Sequence, residues 1–321
     1  MEEQSHVVFL DRGTLGPEVT LRKPSFDHQW MDYSFTEGHE LVPRAQKARI
    51  IVLNKVPMSA EILVQLPQLK LVAVAATGVD VIDLAACKEA GVAVCNVRDY
   101  ATTSVPEHIL SVMFSLRRRL PAYQRRIVAG DWQASRQFCF FDQPIVDLAN
   151  STLGIVGTGS IGTALGDLAS ALGMQVVYHS LSGRALDDRN VLPLEQLLET
   201  ADVVSLNCPL TDASRNLMDA SNLKRMKSDA LLINTARGAM VDMHALETAL
   251  ISGRLGGAGI DVCDAEPPDQ DDPVMRLVHL DNVIVTPHSA WASRASMQTL
   301  ADQLIDAIEA FEAGRSMNRL V

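Results

Sequence analysis

The sequence predicts a two-domain α/β protein. Short apolar runs alternate with helical patterns along its 321 residues, as in parallel sheets flanked by helices. Near the middle, Leu153-Gly-Ile-Val156 runs into Gly157-Thr-Gly159-Ser-Ile-Gly162, which opens the helical pattern Ile161 to Leu172. Strand, glycine turn and helix N-terminus in that order predict a Rossmann-type, doubly wound dinucleotide-binding domain. Gly157 permits the turn, Gly159 lets backbone approach a pyrophosphate, and Gly162 lets helix pack close to strand. The helix start offers N–H groups and a positive dipole end to phosphates. An ordinary glycine-rich strand–helix turn is the plainer reading of the motif alone.

The elements follow in order. Val7–Leu10, Ile50–Leu53, Leu71–Ala75 and Val92–Cys95 read as buried strands, with helical patterns such as Ser59–Gln65 and Ile82–Ala90 between them. Residues 1–100 form one smaller, flavodoxin-like α/β unit. A long helix starts at Ser104, where Ser104-Val-Pro-Glu107 reads as a capping box with proline in the first turn. Ile109, Leu110, Val112, Met113 and Leu116 form its apolar stripe. Arg117-Arg-Arg119 ends it, as solvated cations suited to the helix dipole or as a phosphate site. Residues 121–148 show little periodicity but hold Tyr123, Trp132, Phe138, Phe140 and Phe141. They read either as a loop packed on its own domain or as an arm burying its rings against a second subunit. Six strands follow: Thr152–Val156, Gln175–Tyr178, Asp202–Leu206, Ala230–Asn234, Gly257–Ile260 and Asn282–Val285. A last helix, about Ala292 to Ala313, is expected to return to the first domain. The expected division is therefore 1–100 with 290–321 as a discontinuous substrate domain, and 101–289 as the dinucleotide domain.

Composition narrows the function. A hydrophobic content of 47% describes a globular protein with sizeable cores. A net charge of −11 disfavours nucleic acid or an anionic membrane as partner, though not a small anionic substrate. Cys87, Cys95, Cys139, Cys208 and Cys263 form no CxxC pair, so no metal site or redox motif is expected. The N-terminus lacks an apolar signal region, and no run of roughly 18 apolar residues could span a membrane. A reducing cytoplasm is the expected compartment.

In an open parallel sheet, ligands bind outside the carboxyl ends of the strands. Arg237 follows Leu231-Leu-Ile-Asn-Thr-Ala, Glu266 follows Gly259-Ile-Asp-Val-Cys-Asp-Ala, and His288 follows Val283-Ile-Val-Thr-Pro. All three are expected on the edge that carries Gly157–Gly162. Arginine can bind a carboxylate bidentately and polarise the adjacent carbonyl. Histidine can give or take a hydroxyl proton near neutral pH, and a glutamate beside it would orient the ring and favour its acid form. Singly, each residue could be a surface or loop side chain; together beside a cofactor motif they suffice for hydride transfer at a 2-oxo acid.

These residues also carry a resemblance. The glycine motif, Asn234-Thr-Ala-Arg-Gly238, Asp261-Val-Cys-Asp-Ala-Glu-Pro267 and Thr286-Pro-His288 resemble, in order, the motifs of the D-isomer-specific 2-hydroxyacid dehydrogenase family. Ala75-Ala-Thr-Gly-Val-Asp80 and Tyr100-Ala-Thr-Thr-Ser-Val105 resemble its first-domain and hinge motifs, so the likeness spans nearly the whole chain. His288-Ser-Ala-Trp291 looks most like the glycerate dehydrogenase/hydroxypyruvate reductase branch. The resemblance implies that Arg237 binds the substrate carboxylate and carbonyl, that His288 is the acid/base and that Glu266 is its partner. It implies that the backbone at Thr77 and Gly78 holds the carboxylate. Ser160 and Ile161 would meet the pyrophosphate, while Cys208, Pro209, Ser214, Thr235 and Ala236 would contact the cofactor and Asp261 would lie near its nicotinamide. It also implies a homodimer, acting on a small 2-oxo or 2-hydroxy acid such as hydroxypyruvate or glyoxylate. A cofactor-sensing corepressor-like module and a formate- or phosphite-type dehydrogenase are the alternatives.

Two positions depart from the family pattern. An NAD enzyme usually places Asp or Glu roughly 20 residues after the glycine motif to accept from the ribose 2′-OH. Here stand His179 and Ser180, and Ser180, Ser182 and Arg184 could instead bind a 2′-phosphate. This favours NADP over NAD, with Asp187 and Asp188 the counter-reading. The other departure is Pro106 before Glu107, a helix-start substitution without clear chemical consequence.

Overall fold

The computed structural model describes residues 5–141, 143–184 and 189–321. The chain divides into two compact units, Met1–Tyr100 with Ala292–Val321, and Ala101–Trp291. The second boundary thus falls two residues beyond 289. Among the described residues no helix is long and apolar enough to cross a membrane, and no group of three or more His, Cys, Asp or Glu side chains could hold a metal ion.

The first unit is built on β1 (Ser5–Phe9), β2 (His28–Asp32), β3 (Ile50–Leu53), β4 (Leu71–Val74) and β5 (Ala93–Cys95). All neighbouring pairs are parallel, in the order β2-β1-β3-β4-β5. That 2-1-3-4-5 order is flavodoxin-like. Its helices are α1 (Gly38–Ala45), α2 (Ala60–Leu63), α3 (Leu84–Glu89) and, from the end of the chain, α12 (Arg294–Glu312). The four residues of β3 and of β4 are all buried, as expected of strands covered on both faces. α12 is capped by the Ser293 side chain, which accepts from Ser296 N, and packs on β4 while burying Leu300, Leu304 and Ile308. β2 is a strand not expected from the sequence: it lies at the sheet edge, and its five residues are all at least partly exposed.

The second unit begins with α4 (Ser104–Arg117), α5 (Leu120–Val128) and α6 (Asp131–Ser135). It continues as β6 (Thr152–Val156), α7 (Ser160–Ala171), β7 (Gln175–His179), α8 (Leu194–Thr200), β8 (Val203–Leu206), α9 (Ala220–Arg225) and β9 (Leu231–Asn234). α10 (Met243–Ile251), β10 (Gly257–Ile260), α11 (Pro273–Leu277) and β11 (Val283–Val285) complete it. The six strands are parallel in the order β11-β10-β9-β8-β6-β7. Strand order reverses between β6 and β8, which puts the ligand crevice of such a sheet outside their carboxyl ends. Val191 adds a single parallel bridge to Tyr178 beyond β7.

Ser104 does not cap α4: the helix begins there, and its hydroxyl donates 3.1 Å to the Trp291 carbonyl. Arg117 is neither a solvated helix end nor a phosphate ligand. It is 5% exposed and donates to the carbonyls of Asp202 (2.6 Å) and Asp229 (3.3 Å), pinning α4 beneath the amino ends of β8 and β9. Beside it, Asp202 accepts from Thr152 N and from Lys227 Nζ, each at 2.7 Å; these donors hold its carboxyl below the ordinary carboxylate range despite burial. The segment 121–148, expected to be aperiodic, is helical through most of α5 and all of α6. Two left-handed residues, Arg119 and Gly130, open these short helices. Tyr123 packs edge-on to Phe140 at 5.4 Å, while Phe138 is 90% and Phe141 82% exposed.

Candidate active site

The glycine loop is shaped by packing at two of its three glycines. Gly157 has φ +126°, and a Cβ there would stand 2.4 Å from the Asn207 carbonyl oxygen. A Cβ at Gly162 would stand 2.5 Å from the Gly157 carbonyl oxygen. Only hydrogen fits at either position. Gly159 is different: a Cβ there would meet nothing within 4 Å. The second glycine leaves backbone open at the N-terminus of α7, where a phosphate would gain most from the N–H groups and helix dipole.

A cavity of about 340 Å³ opens over this loop. Gly157, Gly159, Ser180, Ser182, Arg184, Cys208 and Pro209, all expected from sequence, line it. Thr158, Leu181, Asn207, Thr211 and Ala213 line it too and carry no sequence signal beyond their neighbours. Ser180 Oγ and Ser182 Oγ lie 3.4 Å apart on its wall. Burial pushes the Cys208 thiol up to about 11, so it stays a neutral wall group. Ser160 and Ile161 open α7, at the helix end beside Gly159. Asp187 and Asp188 lie outside the described residues.

Two expected contacts take other roles. His179 gives its carbonyl to Gly157 N at 2.9 Å, and its Nδ1 lies 3.0 Å from the Leu192 carbonyl. A carbonyl only accepts, so Nδ1 carries the proton and the ring is held by the chain. Ser214 is fully buried; its hydroxyl accepts from Thr211 N (2.7 Å) and donates to the Pro209 carbonyl (2.9 Å). It shapes the loop that lines the cavity and is not itself on the wall.

Arg237, Glu266 and His288 follow the carboxyl ends of β9, β10 and β11. Buried Asn234 organises the first loop: its amide donates to the Arg237 carbonyl (2.9 Å) and its oxygen accepts from Ala236 N (3.1 Å). Arg237 Nη1 donates to the Ala236 carbonyl at 2.7 Å. Thr235 is half-buried, and its hydroxyl has no partner among the described residues. A Cβ at Gly238 would lie 2.1 Å from the Cys263 carbonyl carbon, so the Arg237 loop and the loop leading to Glu266 are in backbone contact.

His288 Nδ1 lies 2.6 Å from Glu266 Oε2, and Glu266 Oε1 accepts from Cys263 N at 3.2 Å. The carboxylate accepts, so Nδ1 holds a proton and Nε2 is the exchangeable nitrogen. His288 has φ +51°, a left-handed conformation that costs a non-glycine residue about 1–3 kcal/mol. Asp261 holds it there. Its carbonyl accepts from His288 N (2.8 Å), and its carboxylate accepts from Ser289 N (2.9 Å), Ala290 N (3.0 Å) and the Thr286 hydroxyl. Asp261 is 3% exposed, so its carboxylate is a buried brace for the His288 loop rather than an open cofactor contact.

In the first unit, Thr77 and Gly78 follow β4. The Thr77 hydroxyl donates to the Val97 carbonyl (2.8 Å), and the Thr77 carbonyl accepts from the amide of buried Asn96 (2.7 Å). These bonds fix the loop at the carboxyl edge of that sheet.

Residues 110–290 match the family described as D-isomer specific 2-hydroxyacid dehydrogenase, NAD binding domain. Over 313 residues the chain is 49% identical to a glycerate dehydrogenase of Methylorubrum extorquens, covering 97% of this chain and 98% of that one. It is 33% identical to a hydroxypyruvate reductase of Blautia hydrogenotrophica over 288 residues, 89% of this chain and 88% of that one. A solved D-lactate dehydrogenase of Aquifex aeolicus, complexed with NAD and lactic acid, superposes with a TM-score of 0.81 at 27% identity, covering 96% of each chain. Open glycine loop, cavity and Arg–Glu–His edge thus belong to a nicotinamide-dependent oxidoreductase. The chain belongs to the D-isomer specific 2-hydroxyacid dehydrogenase family.

Proposed function

We propose that the protein reduces a small 2-oxo acid, hydroxypyruvate or glyoxylate, to the D-2-hydroxy acid with NADPH. The 2.6 Å His288–Glu266 pair carries the chemical reading, because it leaves Nε2 to exchange a proton with substrate oxygen. The substrate reading is supported by the 49% identical relative being a glycerate dehydrogenase.

A reduced nicotinamide, when bound, supplies the hydride. Gly157, Gly159, Ser160 and Ile161 would hold the pyrophosphate, with Cys208, Pro209, Thr235 and Ala236 toward the rest of the cofactor. Arg237 grips the substrate carboxylate and polarises its carbonyl. Protonated His288 gives its Nε2 proton to the carbonyl oxygen as the hydride arrives at carbon, so the oxo acid becomes a hydroxy acid. Glu266 holds the ring and stabilises the imidazolium. The test is a panel of 2-oxo acids assayed with NADPH and with NADH; no turnover of any would reject the reading.

NADPH is favoured because Ser180, Ser182 and Arg184 line the cavity where an acidic ribose acceptor would otherwise stand. Arg184→Ala is expected to weaken NADPH specifically by about 10- to 150-fold, the worth of a charge-assisted hydrogen bond. Ser180→Asp should shift kcat/KM toward NADH by adding a 2′-OH acceptor and repelling a 2′-phosphate. A wild-type enzyme that already prefers NADH would overturn this.

The exposed rings of the 121–148 arm fit a second copy of the chain. The protein is expected to sediment as a dimer, and Trp132→Glu should weaken it. A wild-type monomer at micromolar concentration would refute the arm.

A further inference from the structure

The loop carrying His288 is braced from two sides. From within the sheet, buried Asp261 takes the N–H groups of Ser289 and Ala290 and the Thr286 hydroxyl. From the helix layer, α4 reaches the same loop twice. Ser104 Oγ donates to the Trp291 carbonyl at 3.1 Å. His108 Nε2 lies 3.2 Å from Thr286 Oγ1 and 3.9 Å from Asp261 Oδ1. Thr286 and Trp291 bracket His288 in sequence.

Proton direction along this chain is determined. The Thr286 hydroxyl has one proton, and its contact with Asp261 Oδ1 is short. A carboxylate accepts, so that proton points at Asp261. The hydroxyl oxygen must then accept from His108, whose Nε2 carries the proton. The result is a directed series: imidazole N–H to hydroxyl to carboxylate. It ends on the group that fixes the two residues after His288. The His108 side chain is 19% exposed and that of Asp261 1%, so water competes little for these bonds.

We propose that His108 is a positioning residue for His288. Through Thr286 and Asp261 it keeps the loop in the register that holds His288 left-handed and its Nδ1 on Glu266. Removing the donor leaves the Thr286 oxygen without its partner on α4, so the loop loses one of its two helix-side holds. The loop then relaxes toward an ordinary φ and the imidazole drifts from its partner, without unfolding the unit. This rests on reading His288 as the proton donor.

The test compares His108→Phe, which fills the space without a donor, with His108→Gln, whose amide N–H can replace Nε2–H. In His108→Phe, kcat should fall about 10- to 100-fold, the cost of a misplaced catalytic group, while the cofactor dissociation constant and the melting temperature stay near wild type. In the full-length protein without ligand, the downfield proton NMR signal shared by His288 Nδ1 and Glu266 should shift or vanish. His108→Gln should restore both kcat and the signal. Wild-type kcat and signal in His108→Phe would overturn the proposal, as would equal damage by both variants. If His108→Phe does not fold, Thr286→Val carries the same expectation from the other side of the junction. Turnover retained in His288→Ala would instead sink the proton-donor reading, and the NMR comparison would still report on His108.

Discussion

Replacing His288 with alanine is expected to lower kcat by roughly 10²–10⁴, the usual contribution of a positioned acid/base. The ring is the group at the β11 edge whose second nitrogen is presented by a fixed carboxylate partner, Glu266 at 2.6 Å. His288 is not among the residues lining the cavity over the glycine loop, so affinity for the nicotinamide cofactor should stay near wild type. Steady-state kinetics and a fluorescence titration of the cofactor separate the two quantities. Near-normal reduction rates in the variant would reject the assignment.

Arg237→Lys is expected to lower kcat/KM by about 10- to 150-fold, the equivalent of one lost charge-assisted hydrogen bond. Lysine keeps the charge but loses the planar fork that grips a carboxylate at two points. The split between parameters is informative. Loss of carboxylate binding raises KM, whereas loss of carbonyl polarisation lowers kcat. Because Arg237 is proposed to do both, both should move. A kinetically silent substitution would show that bidentate recognition at this position is wrong.

Legibility of the fold from sequence follows burial. β3 and β4 are buried at every residue, which writes them as unbroken apolar runs. β2 reads His28-Gln-Trp-Met-Asp32 at a sheet edge, half in solvent, and leaves no such run. The site was legible as residue types at strand ends: Arg237, Glu266 and His288 all follow the carboxyl edge of one parallel sheet. What was illegible is long-range pairing. Ser104 looks like a cap until its hydroxyl is seen on Trp291. Ser214 stands in a plausible cofactor loop, yet its hydroxyl is used up inside that loop. Gly238 is plainly part of a motif, but the Cys263 backbone that forbids a side chain there comes from a different loop. His108 carries no local signal, since its partner Thr286 lies 178 residues away.

The buried Arg117, with Asp202 and Lys227, occupies the amino edge of the second sheet, opposite the glycine loop and His288. A four-residue strand separates the edges by about 13 Å, beyond the range at which substitutions ordinarily couple. Arg117 and His108 nevertheless lie on one helix, α4, so the anchor at the amino edge also holds the helix that reaches the His288 loop. Sequence drift or engineering at Arg117 would loosen the helix that carries His108, whereas substrate choice can change at the carboxyl edge without loosening the anchor beneath it.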